Sequence, residues 1–153
     1  MERREFLNEK RLAAEERMNT LFAPIYDEQW GARIETTHHN FIAKFLAQCP
    51  PGCTVLDAAC GTGKYWPLIL DSGRGIVGID QSQEMLKRAQ TKFPDVSVRK
   101  LGLQELSDEN AFKAIICMDA MENIFPEDWP VVLLNFFSGA ATTRSALLHG
   151  RAS

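Results

Sequence analysis

Residues 53–63, CTVLDAACGTG, constrain the fold more than any other part of the chain. An apolar run closes on Asp57, turns through Gly61 and Gly63, and continues as YWPLIL. A strand that enters a glycine turn and then a helix builds a ligand site. The glycines let the backbone approach a ligand, and the helix start offers unpaired N–H groups and a partial positive charge. A second apolar run, RGIVGID (74–80), closes on Asp80, 23 residues after Asp57. In an open parallel sheet two such strand ends lie side by side at the crevice, where an acid accepts bonds from ribose hydroxyls. A carboxylate closing an apolar strand is costly to keep there for structure alone, so both acids are site candidates.

The remaining pattern agrees. Ser82 is placed to cap a helix carrying Met85, Leu86 and Ala89 inward, and Phe93-Pro94 ends it. VSVRKL (96–101) alternates as a strand does, and AFKAIICM (111–118) reads as a buried one. PEDWPVVLLNFF (126–137) predicts a helix with Trp129, Phe136 and Phe137 facing the core. Strands alternating with short helices are βαβ units, whose crossovers make the sheet parallel. The expectation is four parallel strands near 53–58, 75–79, 96–100 and 112–118, in order 3-2-1-4. Before them, residues 2–19 are dense in helix formers, and 35–48 carry Phe41, Ile42, Phe45 and Leu46 at helical spacing. This helical lead-in ends at Pro50-Pro51-Gly52.

The chain has 153 residues, enough for one domain with a real core. Seventeen basic and 20 acidic residues give a net charge of -3, so no global field attracts nucleic acid or anionic lipid. No apolar run reaches the ~18 residues a membrane span needs. The charged start MERREFLNEKR lacks the pattern of a secretory signal, so a cytoplasmic protein with four cysteine thiols is expected. Cys49, Cys53 and Cys60 lack the paired C-x-x-C spacing of a zinc site, so no metal is expected.

Two phosphate-binding readings fit poorly. A dinucleotide fingerprint needs a third glycine where Trp66 stands, which disfavours a nicotinamide-dependent oxidoreductase. A Walker loop needs Ser or Thr where Tyr65 stands and glycine where Ala58 stands. Asp57 before the turn suits a cationic amino group or sulfonium better than a pyrophosphate. VLDAACGTGKYW resembles motif I of class I S-adenosylmethionine-dependent methyltransferases, and VGID resembles their motif II. LGLQEL, AFKAIICMDAMENI and EDWPVVLLNF resemble the later motifs in the same order, over roughly residues 20–137.

The resemblance implies a Rossmann-like α/β fold, S-adenosyl-L-methionine as cofactor and methyl transfer to a small molecule. It implies that Asp57, Ala59 and Gly61 line the methionine end of the cofactor and that Gly63 shapes the turn. It puts Asp80 on the ribose, Gln81 beside the adenine, and Leu103 and Gln104 on the adenine's other side. Met118, Asp119 and Glu122 fall at the tip of strand four, where cofactor meets acceptor, and Tyr26 and Trp30 in a helical lid. Glu122 or one of His38 and His39 would take a proton from an oxygen nucleophile. The sequence departs from the family at Gly102, where many members carry Asp, and at Phe112-Lys113, where Phe-Asp is usual. It has no Asn/Asp-Pro-Pro-Tyr element, which argues against methylation of base or glutamine amino groups.

These readings divide the chain into a lid (1–50), a cofactor-binding core (51–137) and a poorly ordered tail (138–153). SGAATTRSALLHGRAS shows little apolar pattern, and the family's sheet has seven strands. The expectation is therefore a chain truncated after strand four, with that strand an exposed edge open to self-association. An inactive fragment with little turnover is the alternative reading.

Overall fold

The structure, a computed structural model, describes residues 2–31 and 33–149, with backbone alone for 142–149. Five strands form one sheet: β1 (Thr54–Ala58), β2 (Gly75–Asp80), β3 (Ser97–Lys100), β4 (Phe112–Met118) and β5 (Ala140–His149). Their order is β3-β2-β1-β4-β5, and every neighbouring pair is parallel. β1 sits centrally, with Asp57 beside Gly78 of β2 and Ile116 of β4. Parallel pairing needs crossovers. α3 (Trp66–Asp71) joins β1 to β2, α4 (Gln83–Lys92) joins β2 to β3, and α5 (Trp129–Gly139) joins β4 to β5.

Side chains alternate across the sheet, so each strand feeds two cores. Val55, Ile76, Ala114 and Ile116 pack with Ile42, Phe45 and Leu46 of α2 (Thr36–Ala47), Trp66 of α3 and Leu86 of α4. Leu56, Ile79, Ile115 and Cys117 pack on the other face with Val132 and Phe136 of α5. Ser82 caps α4 as expected, its hydroxyl accepting the Met85 N–H at 3.2 Å. Trp129 and Phe137 do not face the core. They are 41% and 62% exposed, and Val132 and Phe136 carry the contact instead. The Trp129 indole N–H donates to the Ile124 carbonyl at 3.1 Å, which holds the ring at the helix start.

The expected order 3-2-1-4 is extended by β5, so β4 is not an edge. Pairing begins at Phe112 with Ala140, shifts register, then runs from Ala114 opposite Ser145 to Met118 opposite His149. The backbone of 140–149 is thus a strand and not the unstructured tail anticipated from its composition; 150–153 lie outside the described residues. The physical reason lies in β4. Ala114, Ile115, Ile116 and Cys117 are fully buried, and their outward N–H and C=O groups need ladder partners. Residues 145–149 supply them, which also removes the β4 edge as a route to self-association. Deleting residues 140–153 is expected to re-expose that apolar edge and give a chain that associates in size-exclusion chromatography with light scattering. A monomeric deletion product with the parent's melting midpoint would show that β5 does not protect β4.

α1 (Arg3–Arg17) contributes no buried residue. Polar contacts hold it and the following turn, Met18–Phe22, to the body. Lys100 pairs with Glu15 at 2.5 Å, and Arg3 pairs with Glu127. The Asn19 side-chain oxygen accepts from the Ser82 hydroxyl at 2.6 Å and the Glu84 N–H at 3.2 Å.

Candidate functional site

The turn after β1 takes three left-handed residues, Ala59 (φ 59°), Gly61 (φ 54°) and Gly63 (φ 77°). Its path is fixed from the next strand. Cys60 N–H donates to the Ile79 carbonyl at 2.9 Å, and Gly61 N–H donates to the Asp80 carboxylate at 2.9 Å. The other Asp80 oxygen accepts the Ser82 N–H at 2.8 Å. Asp57 and Asp80 therefore lie at the same end of adjacent strands, as the sequence spacing implied, and Asp80 holds two loops together while half-buried. At Gly61 nothing lies within 4 Å of where a side chain would begin, so the backbone there is open to a ligand. Burial raises the Asp80 carboxyl above its ordinary range, against the pull of the N–H groups of Ser82, Gly61 and Gln81.

Asp57 is placed differently from Asp80. It is 2% exposed, and its carboxylate accepts the Trp66 indole N–H at 2.9 Å. Burial, opposed by that bond and reinforced by the Asp80 charge, pushes its pKa up to about 7. The indole that disqualified a dinucleotide fingerprint lies beneath the turn and carries Asp57. Gly63 and Gly78 make room for it: a Cβ at either would come within 2.7 and 2.6 Å of the ring.

A cavity of about 410 Å³ opens at Gln81, past the C-terminal ends of β2 and β3 and under α1. Gln81, Lys100 and Gly102 line its floor, and Asn8, Arg11 and Glu15 its roof. Gln81 follows Asp80 directly and lines the cavity. Leu103 turns into the apolar core (4% exposed), so only its backbone is left for a ligand, and the Gln104 amide donates to Asp128 at 3.2 Å. Met118 packs into the core at the tip of β4. Glu122 is exposed on the short turn Met121–Asn123.

At the β4 tip a second polar cluster forms. His38 Nδ1 lies 2.9 Å from the Tyr65 hydroxyl, which donates to Asp119 at 3.3 Å; His38 and Asp119 are 3.9 Å apart. The three come from α2, the turn before α3 and the end of β4, and Asp119 is left-handed at φ 52°. A non-glycine residue held there stores strain of order 1–3 kcal/mol, a pattern met at working sites. Burial, then the Asp119 charge and hydrogen bond, raise the Tyr65 pKa, so the phenol keeps its proton. Tyr26 and Trp30 pack against each other with ring centres 5.7 Å apart and planes tilted by 52°. Between them Asp27 accepts the Thr62 hydroxyl at 2.6 Å and pairs with Lys92 at 3.0 Å, which brings the lid onto the glycine turn. Tyr65, Trp66, Asp27 and Arg11 were not anticipated. Glycine inside the strand VGID is the signal that could have revealed Trp66, since a strand-interior glycine marks a close approach.

The donor set fits a nucleoside bearing a cationic centre. The Cys117 thiol is pushed up to about 12 by burial and then by the charges of Asp57, Glu122, Asp80 and Asp119. Among the described residues no group of His, Cys, Asp and Glu could hold a metal ion, and no helix is long and apolar enough to cross a membrane.

Residues 55–139, more than half of the chain, match the family described as "Methyltransferase domain". The chain belongs to that family, the class I S-adenosylmethionine-dependent methyltransferases. It is 32% identical over 69 residues to a Streptomyces fradiae enzyme, dTDP-3-amino-3,6-dideoxy-alpha-D-glucopyranose N,N-dimethyltransferase. That match covers 45% of this chain and 27% of the relative, so the chain spans about a quarter of that protein. The fold is similar to magnesium protoporphyrin IX methyltransferase from Synechocystis PCC 6803, solved with bound SAM (TM-score 0.70, 19% identity, 84% of this chain and 71% of that one). It is also similar to DesVI of Streptomyces venezuelae (TM-score 0.71, 20% identity, 84% and 57%).

Proposed function

We propose that this chain binds S-adenosyl-L-methionine and transfers its methyl group to a small-molecule acceptor. The observation that carries this is Asp80, which ties the Gly61 turn to the start of α4 and stands directly before Gln81, a residue that lines the cavity. Each oxygen accepts one N–H and keeps further lone pairs for the ribose hydroxyls. The Gly61 backbone borders the methionine end, and Gln81 the adenine. Asp57 acts from beneath the turn, as a charge rather than as a contact. The cofactor supplies an activated methyl group on a sulfonium. The chain's own work is to orient the reactants and exclude water, a contribution of up to about 7–11 kcal/mol.

The acceptor side is the face formed by His38, Tyr65 and Asp119, with Glu122 at its rim and Tyr26 and Trp30 above. Asp119 or Glu122 would take the acceptor's proton, and His38 would orient it. The S. fradiae relative is, by its name, an N,N-dimethyltransferase of a dTDP-amino sugar. That favours a polar small molecule over nucleic acid, in keeping with the net charge of -3. The four cysteines are all buried and free, which suits a reducing, cytoplasmic setting. The reading of an inactive fragment rested on the strands missing after strand four; β5 restores one of them, so the sheet has five strands and β4 is not an edge.

Calorimetry with S-adenosylhomocysteine tests the cofactor site. The parent chain is expected to bind, and Asp80→Ala to lose roughly a hundredfold or more in affinity, the size expected for hydrogen bonds to a charged group left unpaired. No heat of binding with the parent chain, or an Asp80→Ala variant that binds as well, would reject the proposal.

A further inference from the structure

The cavity at the ends of β2 and β3 has a roof that the family motifs do not account for. Arg11 of α1 lies directly over the loop after β3: a Cβ on Gly102 would sit 2.9 Å from its guanidinium and 3.0 Å from the Glu105 carboxylate. Glu105 is already engaged, accepting the Gly102 N–H at 2.8 Å, and its pairing with Arg11 is long, at 3.8 Å. The Arg11 Nε is shielded from water and has no partner in the structure. Arg74, Arg88 and Arg99 share that feature, but none of them lines this cavity. A guanidinium that borders a cavity and is held by one long ion pair to an exposed carboxylate can turn its flat face to a flat, electron-rich ring. The guanidinium plane stacks on such a ring, and its edge donates to ring nitrogens.

We propose that Arg11 binds the nucleobase of the cofactor, making α1 one wall of the cofactor site rather than a solvated lead-in. This rests on the cofactor reading above. Gly102 is the enabling residue, since any side chain there would displace the guanidinium. Glu15, one turn further along α1, pairs with Lys100 of β3 at 2.5 Å, and both line the same cavity. α1 buries no side chain in the core, so changing Arg11 leaves the fold intact.

The test is calorimetric titration of the full chain with S-adenosylhomocysteine. Arg11→Ala is expected to weaken binding roughly tenfold or more, and Arg11→Lys nearly as much, because lysine keeps the charge and loses the flat face. Arg3→Ala, which removes an ion pair holding the same helix away from the cavity, is expected to stay within about twofold of the parent. The proposal is overturned if Arg11→Ala binds within twofold of the parent, or if Arg11→Lys or Arg3→Ala matches the opposite pattern. If those variants bind normally while Asp80→Ala does not, Arg11 is excluded and the cofactor reading stands. If the parent chain itself does not bind, both fall.

Discussion

Trp66→Ala is expected to leave a chain that does not fold cooperatively at 37 °C. The indole is fully buried, lies under Gly63 and Gly78, and meets Phe93 edge-on at 5.3 Å. Removing a buried tryptophan costs about 3–5 kcal/mol in lost transfer energy and cavity. It also takes away the N–H that the Asp57 carboxylate accepts, and an unsatisfied buried group adds about 1–3 kcal/mol. A domain has only about 5–15 kcal/mol in total. Trp66→Phe separates the two effects, since it fills most of the space and donates nothing. Urea unfolding should rank parent, Phe variant and Ala variant in that order. A Phe variant as stable as the parent would mean that the bond to Asp57 contributes nothing to the fold.

Trp66 also shows what the sequence displayed and what it hid. The βαβ alternation, the glycine turn and the two terminal acids were legible because each depends on local pattern: apolar runs, turn residues, a capping Ser82. The parallel pairing followed from chirality of the crossovers. Tertiary approach was not legible. Trp66 looked only like an obstacle to a third glycine, whereas Gly63 and Gly78, 15 positions apart, shape a slot for it. Leu103 carried an adenine role from its motif, yet its side chain serves the α5 face of the core. β5 was missed because Thr142, Thr143, Arg144 and Ser145 dilute the apolar signal of Ala146, Leu147 and Leu148. What makes it a strand is the demand of β4 for a neighbour, a non-local term that no window of sequence contains. The His38–Tyr65–Asp119 cluster was half visible: the acid and the histidine were named from their positions, and the phenol that joins them was not.

The same buried acid predicts an unusual pH dependence. The Asp57 carboxyl stands at about 7 when folded against an ordinary 3.8. Between those values the folded chain keeps a proton that the unfolded chain has lost, so folding stability falls as pH rises from about 4 to about 7 and is flat above. The displacement corresponds to about 4 kcal/mol at pH 8. Asp80, raised by burial, acts in the same direction. Asp57→Asn removes the ionisation while its carbonyl can still accept the Trp66 N–H. It is therefore expected to be more stable than the parent at pH 8, by up to about 4 kcal/mol less whatever the amide N–H₂ loses for want of an acceptor. At pH 4.5, where the folded parent's Asp57 is neutral too, most of that advantage should be gone. On the proposed cofactor reading, the variant also lacks the negative charge that would act on a sulfonium above pH 7. Its affinity for S-adenosylmethionine should fall relative to the parent as pH rises from 6 to 8, with affinity for the neutral thioether S-adenosylhomocysteine changing less. Urea midpoints at half-unit steps from pH 4.5 to 8.5, with calorimetry of both ligands at each end, decide it. A parent chain whose stability climbs from pH 5 to 8, or an Asn variant weaker than the parent at pH 8, would show that Asp57 is ionised and well solvated in the fold.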